Sequence, residues 1–116
     1  MPGSPSFPSW ANDLADKYRG GTIIEFVVHG AVQGVNFRAT AVREALRLAI
    51  TGRVWNRDDG SVELIAEGSG GALSSLQNWL NEGPPGADVR EVERTELGGK
   101  PRYEGFNITW SAPRGD

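Results

Sequence analysis

The chain has 116 residues, a net charge of −3, a single histidine (His29) and no cysteine. That length suits one domain with a core of its own, while the missing thiols exclude disulfides, thiolate metal sites and cysteine nucleophiles. The acidic balance opposes general nucleic-acid binding through phosphate neutralisation, and no apolar run approaches the roughly 20 residues of a membrane span. One imidazole cannot build a histidine metal cluster. The start of the chain has neither a basic stretch nor an apolar core, so no secretory signal is expected and a cytoplasmic protein is the default.

Residues 1–20 read differently from the rest. Pro2, Pro5 and Pro8, spaced by Ser and Gly, suggest a disordered lead. Trp10, Leu14 and Tyr18 then recur at helical spacing, with Ser9 as an N-cap and Gly20–Gly21 as a stop, so this segment is expected to be a flexible extension or a short helix. The domain proper is expected over 21–112, with 113–116 as a tail.

A first strand is predicted over about 22–29. It runs into GAVQGVNFR, residues 30–38, where two glycines stand four apart and an arginine opens a helix-like run. Glycine adopts positive φ freely, so such a loop can curl its N–H groups inward. A helix start adds unpaired N–H groups and the positive end of a dipole. Arg38 can complete an anion site with a planar, permanently charged fork. The helix itself is predicted over 37–49, with Phe37, Ala41, Ala45 and Leu48 on one stripe and Arg43 and Arg47 on the other side.

Gly52 to Asn56 reads as a second strand and Ser61 to Glu67 as a third, with Asp59–Gly60 signalling a two-residue hairpin turn. Asn56, the last residue of the second strand, carries a neutral amide that can hold and aim a water molecule but cannot act as a strong base. If the first strand and the hairpin are neighbours, Asn56 lies beside the mouth of the 30–38 loop; the equal alternative is that it only shapes the turn. A second helix over 70–82 carries Leu73, Leu76, Trp79 and Leu80 and stops at Gly83–Pro84. A fourth strand follows over about 87–97, where Val89 and Val92, three apart, suggest a bulge. The last strand, 103–110, is expected to put Phe106, Ile108 and Trp110 on one face.

The order is β-α-β-β-α-β with a short extra strand at the C-terminal end. Each helix has one apolar stripe, so both are expected on one face of a mostly antiparallel sheet: an α+β, ferredoxin-like sandwich. Many functions share that fold, so the fold alone decides none of them.

VQGVNFR (32–38), followed 18 positions after Arg38 by the Asn of NRDDG (56–60), resembles the acylphosphatase family. The similarity continues through Gly52-Arg53-Val54-Trp55-Asn56, the Asp59–Glu63 turn, Gly83-Pro84 and Phe106-Asn107-Ile108, covering about 22–110. The resemblance implies a ferredoxin-like enzyme that hydrolyses carboxyl-phosphate anhydrides with no metal and no cofactor. It implies that Arg38 binds the phosphate with the backbone of Gly30, Ala31, Val32, Gln33, Gly34, Val35, Asn36 and Phe37. Asn56 would then position the attacking water. The implied partner is a small acyl phosphate or inorganic phosphate, with no nucleic acid and no membrane, and the protein is expected to be a monomer. The family often has a basic residue where this chain has Ala31 and an aromatic one where it has Arg53. Those departures bear on rate and substrate range. Asn36, at a variable position of the motif, is expected to cap the following helix.

Other conspicuous residues have plainer readings. His29 is expected to pack or face solvent at a strand end. Asp58–Asp59 belongs to the hairpin, Glu91, Glu93 and Glu96 to a solvated strand face, and the four tryptophans to the core or its edge. Two other functions fit the same pattern: a phosphate- or carbamoyl-phosphate-binding module related to hydrogenase maturation proteins, and a non-catalytic interaction domain using the Trp10–Tyr18 segment.

Overall fold

The computed structural model describes residues 21–113. The expected Trp10–Tyr18 helix lies outside them. Seven elements follow in chain order: β1 (Thr22–Ala31), α1 (Phe37–Arg47), β2 (Thr51–Asn56), β3 (Val62–Gly68), α2 (Gly70–Glu82), β4 (Asp88–Leu97) and β5 (Phe106–Ile108). They form a five-stranded sheet of order β4-β1-β3-β2-β5, antiparallel except for the β2–β5 pair. This is the expected ferredoxin-like α+β arrangement.

Side chains alternate across a strand, so a single register decides which residues reach the core. In β1 the odd-one-out pattern places Ile24, Phe26 and Val28 opposite Ala66, Leu64 and Val62 of β3, and all six are fully buried. Phe37, Ala41 and Ala45 of α1 and Leu73, Leu76 and Leu80 of α2 close over them, with Val54 and Phe106 completing the cluster. The two helices meet where the Phe37 and Trp79 rings approach to 5.5 Å at an interplanar angle of 55°. Ser69 caps α2, its hydroxyl accepting from the Ala72 N–H at 3.2 Å, and Gly83 ends that helix by donating to Trp79 O at 2.7 Å.

The bulge expected in the fourth strand is present. His29 pairs with Glu91 while Gly30 pairs with Val89, so Arg90 is the unmatched residue. The crossing is tight: a Cβ on Gly30, whose φ is +132°, would stand 2.1 Å from Asp88 O. Glycine is therefore required at position 30 by the approach of β4.

Two expectations fail. The hairpin turn is not a two-residue one. The Arg57 N–H donates to Ser61 O at 2.9 Å and the Gly60 N–H to Arg57 O at 3.2 Å, leaving a three-residue turn, Asp58–Gly60. The Asp59 carboxylate accepts from both the N–H and the hydroxyl of Ser61, which holds it in that shape. The last strand is also far shorter than 103–110. Glu67, only 2 % exposed, draws the main chain of the preceding segment across the end of the sheet by accepting from the N–H groups of Arg102 (2.7 Å) and Tyr103 (3.1 Å). Those residues are thereby committed to the crossover. At the other end the chain bends away after Thr109, leaving Phe106 buried, Ile108 45 % exposed and Trp110 94 % exposed. Trp110 is no part of the core face.

Candidate active site

A strand that ends at Ala31 and a helix that begins at Phe37 leave five residues to connect them, and that connection shapes a hollow at one end of the sheet. Its volume is about 280 Å³, just under the range typical of drug-sized ligands, so it suits a small one. Val32, Gln33 and Gly34 of the connection line it together with Asn36, Phe37, Arg38 and Ala39 at the start of α1. Asn56 and Ile108 close the far side from β2 and β5. Val32 and Phe37 bury their side chains in the core, which anchors both ends of the connection. Between them the main chain turns through Gly34 (φ +78°) and Asn36 (φ +63°). Asparagine is among the few side-chain-bearing residues that visit this region readily.

The hollow is rich in unclaimed donors. Among the described residues no protein group accepts from the main-chain N–H groups of Gln33 through Ala39. Asn36 does occupy the N-cap position of α1, but its side chain makes no capping bond, contrary to expectation. A left-handed backbone there explains the failure, because an N-cap side chain folds back on the helix from an extended conformation. The Asn36 carbonyl is held instead, accepting from the Thr40 N–H and hydroxyl. The first turn contains no acidic residue, so the positive end of the α1 dipole is left open. Arg38 adds a full positive charge, and no described carboxylate pairs with it. Every one of these features favours an anion.

Asn56 lines the same hollow. It ends β2 and pairs with Val62 on one side only. Its Oδ1 is buried and has no hydrogen-bond partner among the described residues. Buried polar atoms are nearly always paired, so an acceptor left over in this hollow is suited to a ligand or its water.

The structure thus brings Arg38 and Asn56 to one hollow, with Val32, Gln33, Gly34, Asn36 and Phe37. Gly30 and Ala31 lie instead in β1, paired with Val89 and Asp88 of β4, and Val35 packs against the core; none of the three lines the hollow. His29 sits on β1 with its ring hydrogen-bonded to Glu93 of β4, away from the hollow. No group of three or more His, Asp or Glu side chains converges among the described residues to hold a metal ion.

Sequence reasoning missed the Gln33 side chain. Its Nε2 donates to Arg57 O and to Ser61 O, both at 2.9 Å, tying the connection to the hairpin. Only the amide nitrogen can satisfy two carbonyls, which fixes the orientation of the carboxamide. No local signal could have revealed it, because its acceptors lie 24 and 28 residues away.

On the opposite face of the sheet a broader cleft holds Glu25, Trp55, Arg57 and Glu63. Burial pushes the Glu63 carboxyl up to about 7, helped by a hydrogen bond to Glu25 and by that residue's charge. Arg57, 3.9 Å away, and the Trp55 side chain oppose the shift.

Comparison with known proteins identifies the family. The acylphosphatase family model matches residues 24–108. An acylphosphatase of Pasteurella multocida is 40% identical over 86 residues, covering 74% of this chain and 96% of the relative. The solved acylphosphatase of Coxiella burnetii superposes with a TM-score of 0.75 at 39% identity, covering 80% of this chain and 97% of that one. A full-length HypF, solved in a phosphate- and nucleotide-bound form, gives a TM-score of 0.70 at 26% identity, with 76% of this chain matching only 12% of HypF. The matched span contains the hollow with Arg38 and Asn56 in its lining, and the chain belongs to the acylphosphatase family of hydrolases.

Proposed function

We propose that the protein hydrolyses the carboxyl-phosphate bond of small acyl phosphates through the 32–38 connection, Arg38 and Asn56. The observation that carries this reading is the convergence of unclaimed main-chain N–H groups, an unpaired guanidinium and a partnerless carboxamide oxygen on one hollow.

The chemistry follows from the charges. An acyl phosphate leaves as a carboxylate, a weak base that departs without protonation. The phosphoryl group passes through a loose transition state with negative charge spread over its equatorial oxygens. The N–H groups of Gln33, Gly34 and Asn36 to Ala39 and the Arg38 fork would meet that charge, with little reorganisation needed as it develops. The Asn56 carboxamide holds the attacking water and aims its oxygen at phosphorus, which supplies proximity. A carboxamide is too weak a base to take the proton, so a phosphate oxygen of the substrate receives it. Products are the carboxylate and inorganic phosphate.

The test is turnover of acetyl phosphate and benzoyl phosphate in the presence of a chelator, with inorganic phosphate binding measured alongside. Arg38→Ala should lose both turnover and phosphate binding, and Arg38→Lys should not restore them, since an ammonium lacks the bidentate fork. Asn56→Ala should lose turnover by about 100- to 1,000-fold and keep phosphate bound. A folded wild type that hydrolyses neither compound, or equal loss of phosphate affinity in both alanine variants, would defeat the proposal.

A further inference from the structure

We infer that Gln33 is a positioning residue for Asn56, acting through the hairpin and not through the phosphate. The inference rests on the hydrolytic reading above, and it concerns how the water-aiming amide is held. Asn56 stands at the end of β2, past the last residue that β5 pairs with: Ile108 is matched to Val54, and the Thr109 N–H then donates to Val54 O. Among the described residues its only ladder partner is Val62 of β3. Immediately after it the chain enters the Arg57–Ser61 turn.

The two carbonyls at the base of that turn each serve twice. Ser61 O accepts from the Arg57 N–H within the hairpin, and Arg57 O accepts from the Gly60 N–H. Each has a second lone pair, and Gln33 Nε2 fills both. The carboxamide therefore spans the two sides of the turn at the peptide next to Asn56 and fastens them to the connection that carries the anion-binding amides. A shift of the hairpin relative to that connection would carry Asn56 with it, and a displacement near 1 Å is enough to cost about 100-fold in rate. Gln33 itself is exposed and adds nothing to the apolar core, so its replacement leaves the packing intact.

Gln33→Met, which keeps the length and removes both donors, separates this role from the alternatives. Expected is a fall in kcat of about 10- to 100-fold, while the dissociation constant for inorganic phosphate stays within about twofold. In the Asn56→Ala background the same substitution should lower kcat by no more than about twofold further, because the group it positions is gone. A readout independent of activity accompanies these: the Asn56 side-chain amide resonances of the phosphate-free protein should shift or broaden in Gln33→Met. A wild type without turnover would sink the hydrolytic reading yet leave that resonance test of the brace standing. Unchanged Asn56 resonances, an undiminished kcat, parallel loss of kcat and phosphate affinity, or a full additional loss in the Asn56→Ala background would each overturn the inference.

Discussion

Glu63→Gln should stabilise the protein at alkaline pH and do little at acid pH. Glu63 lies on β3 with its side chain only 14 % exposed, hydrogen-bonded to Glu25, and its carboxyl is pushed up to about 7 from an ordinary 4.5, first by burial and then by Glu25. The folded state thus holds this proton more tightly than the unfolded chain does. Below about pH 4.5 the group is neutral in both states and its contribution to stability is fully present. As the pH rises the unfolded chain ionises first, and stability is lost through the window up to about 7, after which the whole penalty remains. At about 1.4 kcal/mol per pH unit the ceiling is about 3 kcal/mol. Glu25 and Arg57 share an open cleft with Glu63, so screening by solvent lowers the expected value to about 1–2 kcal/mol. Glutamine keeps an acceptor for the Trp55 side chain and never ionises. Urea denaturation of both proteins at half-unit steps from pH 4.5 to 8 measures the effect. The stability of the variant relative to wild type should grow by about 1–2 kcal/mol across the window, and by less in a Glu25→Gln background. A difference that stays flat with pH, or shrinks as the pH rises, would refute the reasoning.

Two further substitutions test what holds the site in place. Gly30→Ala would set its Cβ 2.1 Å from Asp88 O, so β4 must move. A loss of about 2–4 kcal/mol in urea-midpoint stability is expected, with weaker phosphate binding because the same residue leads into the 32–36 connection. Glu67→Gln replaces one carboxylate oxygen by a donor where three donors already point, from Thr51, Arg102 and Tyr103. A loss of about 1–3 kcal/mol is expected by the same assay, with phosphate affinity unchanged because the crossover is remote from the hollow.

Periodic segments were legible in the sequence and their junctions were not. The strands 22–31, 51–56 and 62–68 and both helices announce themselves through alternation or an i, i+4 stripe, and the unmatched Arg90 follows from the spacing of Val89 and Val92. Trp110 misled because alternation is a local pattern: the chain bends away beyond Thr109, while at the other end of β5 Glu67 commits Arg102 and Tyr103 to the crossover. Arg38 and Asn56 were legible as chemistry, and the Arg57–Ser61 bond that sets the three-residue turn was not. Gly30 was legible as a residue needing freedom, yet its place against Asp88 gives a different reason from the curling of an anion loop. Capping by Asn36 failed for a third reason: residue type allows a cap, but only backbone conformation delivers one.

Several exceptions to ordinary folding rules gather in one place, although Ala49, also left-handed (φ +58°), and the Glu63 carboxyl lie elsewhere. A non-glycine residue in the left-handed region, a helix start with neither a side-chain cap nor an acidic first turn, a guanidinium without a carboxylate and a buried carboxamide oxygen without a donor all belong to the hollow between β1, α1 and β2. Two of these features are unfavourable in themselves. A left-handed asparagine is disfavoured by about 1 kcal/mol, and an unsatisfied buried acceptor by about 1–3 kcal/mol. Other local choices agree with the fold: Ser69 caps α2, Gly83 closes it, and Asp59 holds its own turn. Sequences depart from such consistency chiefly where function requires it. A phosphate group in this hollow would give the unpaired groups partners: amides and guanidinium to its oxygens, and carboxamide to its water. The groups that the fold leaves without partners would then be those that bind and activate the ligand.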